Sequence, residues 1–367
     1  KLLLDKNESN EILILLGKSL LAKKNTENAR IHLKEVIKHN PSDHETIKDI
    51  GNSYYLEGNL NEAKKYYKKA IDVNPSYAPA LTNLGTIELN LENNDQAIYY
   101  LLLATKEAPS LASVWGNLGN GYYQINDYEE SEIAYKKAIE LNPNQFNFHF
   151  RLGIVLKNIG KLKEAEISLR KSIALNPTLE NSYIILSEIQ LELDNINGYE
   201  KSIRDLIHIN PNNAEAHSNL GNVLKNKGEY KKAEISTRKA IKINPNNPIF
   251  HSNLGAILKD IGNLKDAKTS AQIAINIDPN SYQAHYNLAI ILIELSDFEA
   301  AKISTEKALK LKPNFTDALL TLGKILIDLN ELEEAEIATR EAIRYRSNYS
   351  EAKFNLSQIL LKLKKFK

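Results

Sequence analysis

Ala214–Asn247 reads AEAHSNLGNVLKNKGEYKKAEISTRKAIKINPNN. His217, Leu220, Gly221 and Leu224 stand at i, i+3, i+4 and i+7, which is one face of an α-helix. Lys227-Gly228-Glu229 then interrupts the pattern, and a glycine just past a helix end can take the left-handed conformation that closes it. Ala233, Thr237, Ala240 and Ile241 mark a second helix of the same kind. Asn244-Pro245-Asn246-Asn247 ends that one, because proline cannot continue a helix and asparagine tolerates turns. The stretch is one helix–turn–helix–turn unit.

The unit recurs. Pro41, Pro75, Pro109, Pro143, Pro177, Pro211, Pro245, Pro279 and Pro313 follow one another at intervals of 34, and only Pro79 and Pro248 lie outside the series. A fixed period of this length means a stacked array and takes precedence over any local motif. Ten full repeats cover 10–349. Residues 1–9 read as the tail of a preceding helix or a loose cap, and 350–367 as a partial eleventh repeat or capping helix. Position eight of the repeat holds Gly17, Gly51, Gly85, Gly119, Gly153, Gly221, Gly255 and Gly323. Position seven is an aliphatic column from Leu16 to Leu356, and position twenty is mostly alanine. Small residues at eight and twenty let the two helices of a unit approach closely; larger ones would overpack the contact. Repeat six, Glu180–Asn213, departs most: Ser187 replaces the glycine, Tyr199 the alanine and Leu206 another alanine. It is expected to be the weak joint.

This pattern resembles the tetratricopeptide repeat. Repeat four carries that family's signature best, with Trp115, Leu118, Gly119, Tyr122, Tyr135, Ala138 and Pro143, although Ser131 stands for its central alanine. The resemblance implies an all-α, right-handed superhelical solenoid of antiparallel helix pairs, with a concave groove lined by the first helices. It also implies protein–protein interaction. Departures are His149, His217, His251 and His285 at position four, and Thr237, Ala271, Thr305 and Thr339 where the family usually has a large residue.

Composition narrows the function. Hydrophobic residues make up 43% of the 367 and charged residues 25%, an ordinary balance for a packed soluble chain. Forty-seven basic residues face 46 acidic ones, so the net charge of +1 gives no footprint for nucleic acid. With no cysteine there is no disulfide, thiol nucleophile or cysteine metal site. No apolar run reaches the roughly 18 residues of a membrane span. A cytoplasmic location is the expectation. The absence of methionine and the start at Lys1 suggest a fragment or processed product, and lysine, asparagine and isoleucine usage suggests a low-GC bacterial genome. Oligomeric state is not legible.

The sequence carries no catalytic or metal-binding motif. Gly116–Gly121 is glycine-rich but lies inside a repeat helix. The histidines at position four recur on the packed face and read as core residues. No cofactor is expected, and no enzyme activity within this chain.

What remains is the stripe of each first helix beside its core face, at positions six, nine and thirteen. Position six is asparagine at Asn83, Asn117, Asn219, Asn253, Asn287 and Asn355; Asn120, Asn222 and Asn226 extend the stripe. Amide side chains complement a peptide backbone, and the row resembles the peptide-holding ladder in the repeat arm of O-linked N-acetylglucosamine transferases. The same column is equally the family's habitual residue in an asparagine-rich chain. In mid-array, Phe150, Arg151, Ile184, Ile185 and Leu191 interrupt it, as an apolar and partly cationic anchor or as a self-contact. A dicarboxylate clamp would need more than Lys48, Asn52 and Asn83, because the next helix offers Ser113 and Asn117. The expected function is therefore a non-catalytic scaffold binding polypeptide segments. The alternative is the substrate-recruiting arm of a glycosyltransferase or sulfotransferase whose catalytic domain lies outside this chain.

Overall fold

The computed structural model describes residues 6–363, and in them 21 helices and no strand. The fold class is all-α, a series of paired helices that recurs with the 34-residue period. The chain divides into two compact units, one ending at Leu193 and the other beginning at Asp194.

The first unit holds α1 (Lys6–Ala22), α2 (Thr26–His39), α3 (His44–Leu56), α4 (Leu60–Val73), α5 (Ala78–Asn90), α6 (Asn94–Glu107), α7 (Ala112–Gln124), α8 (Tyr128–Leu141), α9 (Phe146–Asn158), α10 (Leu162–Leu175) and α11 (Glu180–Glu192). The second holds α12 (Ile196–Ile209), α13 (Ala214–Asn226), α14 (Tyr230–Ile243), α15 (Pro248–Ile261), α16 (Leu264–Ile277), α17 (Tyr282–Glu294), α18 (Phe298–Leu311), α19 (Thr316–Asp328), α20 (Leu332–Tyr345) and α21 (Ser350–Lys362). Residues 6–9 thus begin the first helix of repeat one rather than ending a preceding helix. The expectation for 1–5 and for 364–367 lies outside the described residues.

One backbone device ends the first helix of each of the ten full repeats. Lys24, Gly58, Glu92, Asn126, Gly160, Asp194, Gly228, Gly262, Ser296 and Asn330 all have φ between 56° and 89°. They are spaced by 34, at position fifteen. Glycine adopts this conformation freely; the other six residues hold it under strain. Position sixteen then often caps the second helix: Asn59, Asp127, Asn195, Asn263 and Asp297 each accept a backbone N–H of the first turn.

The glycine at position eight faces position twenty-four of the second helix. A Cβ added to Gly51 would lie 2.6 Å from the Tyr67 ring, and one on Gly85 2.7 Å from Leu101 Cγ. On Gly255, where the opposing residue is the small Ala271, the Ala267 carbonyl at 3.2 Å sets the limit instead. Close approach is thus enforced by whichever group the second helix presents. Position twenty is fully buried as Ala29, Ala63, Ala97, Ala165, Ala233, Ala267, Ala301 and Ala335, and also as Ser131. Tyr199 of repeat six is the exception, only half-buried.

Each unit has its own apolar core. In the first, Tyr135, Leu152, Leu156, Leu169, Leu186 and Ile189 belong to one cluster. In the second, Leu254, Leu258, Ala271, Leu288, Leu292 and Ile325 belong to another.

Candidate functional site

The histidines of position four have a structural partner. Nε2 of His149, His217, His251 and His285 lies 2.8–3.0 Å from the carbonyl oxygen of Pro143, Pro211, Pro245 and Pro279 respectively. A carbonyl only accepts, so Nε2 carries the proton. Trp115 Nε1 makes the same bond to Pro109 O at 2.8 Å, and Tyr183 Oη to Pro177 O at 3.1 Å. In these six repeats position four therefore supplies a ring donor to the carbonyl of the proline that follows the preceding helix. No group of three or more metal-ligating side chains occurs among the described residues.

On the first-helix face of the first unit, amides line two adjoining pockets. One, of about 220 Å³, is bounded by Asn52, Tyr55, Tyr67, Asn83, Thr86 and Asn117. The next, of about 290 Å³, shares Thr86 and Asn117 and adds Asn90, Asn120, Tyr123, Gln124 and Arg151 among its walls. Tyrosines from the second helices support these walls from behind. Tyr67 Oη donates to Asn52 Oδ1 at 2.8 Å, and Asn83 Nδ2 donates to the same oxygen at 2.9 Å. Tyr135 Oη donates to Asn120 Oδ1. Burial pushes both phenols well above the usual tyrosine range, which keeps them donors at physiological pH. Sequence reading missed these tyrosines as site residues. The signal was the coincidence of Tyr at position twenty-four with Asn at position nine in repeats two and four.

Arg151 stands out in this setting. Six of the eight arginines are ion-paired: Arg30 with Glu57, Arg170 with Glu166, Arg204 with Glu200, Arg238 with Glu234, Arg340 with Glu336, and Arg344 with Glu341. Arg346 lies over the Tyr349 ring. Arg151 has neither kind of partner among the described residues, is exposed, and borders only neutral side chains in its pocket.

In the second unit the position-six asparagines that reach back to the previous first helix meet serine, where Asn83 meets Asn52. Asn253 Nδ2 donates to Ser218 Oγ at 3.1 Å, and Asn287 Nδ2 to Ser252 Oγ at 2.8 Å. Each bond spans 35 residues and laces one first helix to the previous one. These two ladder residues thus spend part of their hydrogen-bonding capacity within the array. Asn219 and Asn222 are half-buried and Asn226 is exposed. Asn355 occupies the same position in α21, but its partner position is filled by Leu320, and its Nδ2 is buried without a hydrogen bond. Beside the asparagines, Lys259 bridges Asp260 at 2.9 Å and Glu294 at 3.4 Å, and Lys225 lies 3.8 Å from Asp260.

The five residues of the expected mid-array anchor separate. Phe150 and Ile185 pack on the core cluster of the first unit. Ile184 is half-buried, Leu191 is 53% exposed, and Arg151 belongs to the amide pocket. Core packing takes Phe150 and Ile185 because positions five and six in repeats five and six lie within reach of neighbouring helices. No described helix is long and apolar enough to cross a membrane.

A family model described as the C-terminal domain of cilia and flagella-associated protein 70 matches residues 7–243. Tetratricopeptide-repeat models match 237–269, 282–315 and 316–349. No curated protein matches the chain. Among solved structures, a tetratricopeptide repeat protein from Parabacteroides merdae is 18% identical, covers 68% of this chain and 98% of its own, and has a TM-score of 0.55. The APC/C hetero-tetramer Cut9-Hcn1 is 11% identical over 97% of each chain, with a TM-score of 0.52. PilF of Pseudomonas aeruginosa is 20% identical over 56% of this chain and 93% of its own, with a TM-score of 0.51. At these identities the likeness concerns the fold.

Proposed function

The chain belongs to the tetratricopeptide-repeat family, its residues 7–243 to the family of the C-terminal domain of cilia and flagella-associated protein 70, and from that premise we propose that it is a non-catalytic scaffold holding extended polypeptide on its first-helix face. The observation that carries this reading is the pair of adjoining amide pockets in the first unit, with Arg151 at one end. Asn117 and Asn90 offer donors and acceptors that match successive peptide units. Arg151 supplies a cation for a ligand carboxylate. Tyr67 and Tyr135 fix Asn52 and Asn120, so less side-chain entropy is lost when a ligand binds.

Each amide bond contributes only about 0.5–1.5 kcal/mol net, so affinity has to come from several repeats together. The test is selection of random linear peptides on the chain, followed by fluorescence anisotropy of those recovered. Asn117→Ala with Arg151→Ala is expected to weaken binding by roughly tenfold to a hundredfold. Lys231→Ala, Lys239→Ala and Lys242→Ala together, on a second helix, leave it nearly unchanged. Recovered peptides that ignore the first pair of changes would overturn the reading.

A further inference from the structure

The second helices of residues 194–367 carry an apolar and charged surface that the first-helix reading leaves unused. Ile235 of α14 is 71% exposed, Ile303 of α18 66%, and Ile337 of α20 65%. They share position twenty-two of the repeat. Solitary exposed isoleucines are ordinary, but three on one face, with Thr269 of α16 at the same position between Ile235 and Ile303, make an apolar row.

Grooves run beside two of these isoleucines. The one at Ile235, about 460 Å³, is floored by Ile207, Leu220 and Leu224 and rimmed by Lys232 and Lys239. The one at Ile337, about 340 Å³, is floored by Leu319, Leu322 and Leu326 and rimmed by Glu306, Glu334 and Glu341 against one base, Lys302. Both grooves exist because position twenty-three is small there, Ser236 and Ala338. Repeats two and three carry Tyr66 and Tyr100 at that position.

The charges around the two grooves are opposite. On α14, Lys231, Lys232, Arg238, Lys239 and Lys242 face a single acid, Glu234. Lys231, Lys239 and Lys242 are exposed and make no ion pair among the described residues. On α20, Glu333, Glu334, Glu336 and Glu341 face Arg340 and Arg344. Glu333 and Glu334 are exposed and likewise without an ion pair among the described residues. A surface with an apolar column and opposite charge at its two ends is self-complementary. A two-fold axis between α16 and α18 sets α14 of one molecule against α20 of the other, and closes the assembly at two copies.

We propose that residues 194–367 associate with a second copy of this chain through their second-helix face, α14 and Ile235 against α20 and Ile337 in both directions. Opposite-charge ends fix the antiparallel register and speed the encounter, while the isoleucines provide the buried area. Binding of a ligand on the first-helix face does not enter this inference.

The test is sedimentation equilibrium of the chain up to roughly 100 µM, in the range where a specific dimer of modest affinity forms. The expected result is a reversible dimer that weakens as salt is raised. Lys231→Glu, Lys239→Glu and Lys242→Glu together are expected to weaken self-association by roughly a hundredfold, with unchanged helicity, because all three side chains are exposed. Glu333→Lys with Glu334→Lys does the same. Mixing the two variants brings opposite charges together at both ends of the interface, so a mixed dimer reappears. A chain that stays monomeric throughout, or a dimer indifferent to both charge reversals, would overturn the proposal.

Discussion

Asparagine at position six meets different neighbours in different repeats, and they decide whether its amide is hydrogen-bonded. Asn287 donates to Ser252 at 2.8 Å and is half-buried, so its loss removes a bond and leaves the serine hydroxyl without it. Asn355 has Leu320 in place of that serine, and its buried Nδ2 finds no partner. The energetic consequences have different sizes. Asn287→Ala is expected to cost about 1–2 kcal/mol, whereas Asn355→Ala stays within about 0.5 kcal/mol because an unsatisfied donor disappears with it. Urea unfolding of the two variants reads the difference, and equal losses would contradict this account. The column itself was plain in the sequence. Its use was not, because the deciding residue sits 35 positions earlier, at position five of the previous repeat. Ser218 and Ser252 were the signal, legible only once the stacking of first helices was known.

At the scale of the helix, the turn at position fifteen is where sequence and conformation disagree most. Glycine at four of the ten sites made the left-handed cap predictable; Lys24, Glu92, Asn126, Asp194, Ser296 and Asn330 adopt it without that licence. The repeat geometry overrides local preference because both helices around the turn are held by buried contacts. A non-glycine residue in this conformation costs roughly 1–2 kcal/mol, part of which glycine gives back through the greater freedom of its unfolded chain. Glu92→Gly is therefore expected to stabilise the protein by about 0.5–1 kcal/mol. The reciprocal change, Gly58→Ala, is expected to destabilise it by about 1 kcal/mol. A Cβ at Gly58 would meet nothing within 4 Å, so that loss would be one of backbone conformation alone. Shifts of the thermal midpoint in opposite directions are the expected readout. The helices' other ends were easier to foresee in kind than in detail. The proline series announced where each unit stops, but not that the proline carbonyl would be met six residues on by His149, Trp115 or Tyr183. That bond depends on a ring of the right length with one N–H or O–H at its tip, a property shared by three residue types that look unrelated in a one-letter reading.

For the whole molecule, the period of 34 made the architecture readable because every unit repeats the same packing problem. The division at Leu193/Asp194 falls inside repeat six, the unit that departs furthest from the others. Its small positions are changed together: Ser187 for glycine, half-buried Tyr199 for an alanine that elsewhere is fully buried, and Leu206 for another alanine. In a repeat array, stability is approximately a sum of terms within repeats and between neighbours. A unit whose own terms are weak opens before the array does. Backbone amides of 180–213 are accordingly expected to exchange with solvent hydrogen ahead of those in repeats four and eight, by hydrogen-exchange mass spectrometry. Ser187→Gly with Tyr199→Ala returns two positions to the residues that most repeats use. It is expected to raise protection of 180–213 toward that of its neighbours while leaving the remainder unchanged. The comparison separates local from global effects: a general rise in protection would mean that the substitutions act on overall stability. Protection of 180–213 already equal to that of the adjacent repeats would remove the weak unit from the account, leaving the division of the chain without an energetic cause in these three residues.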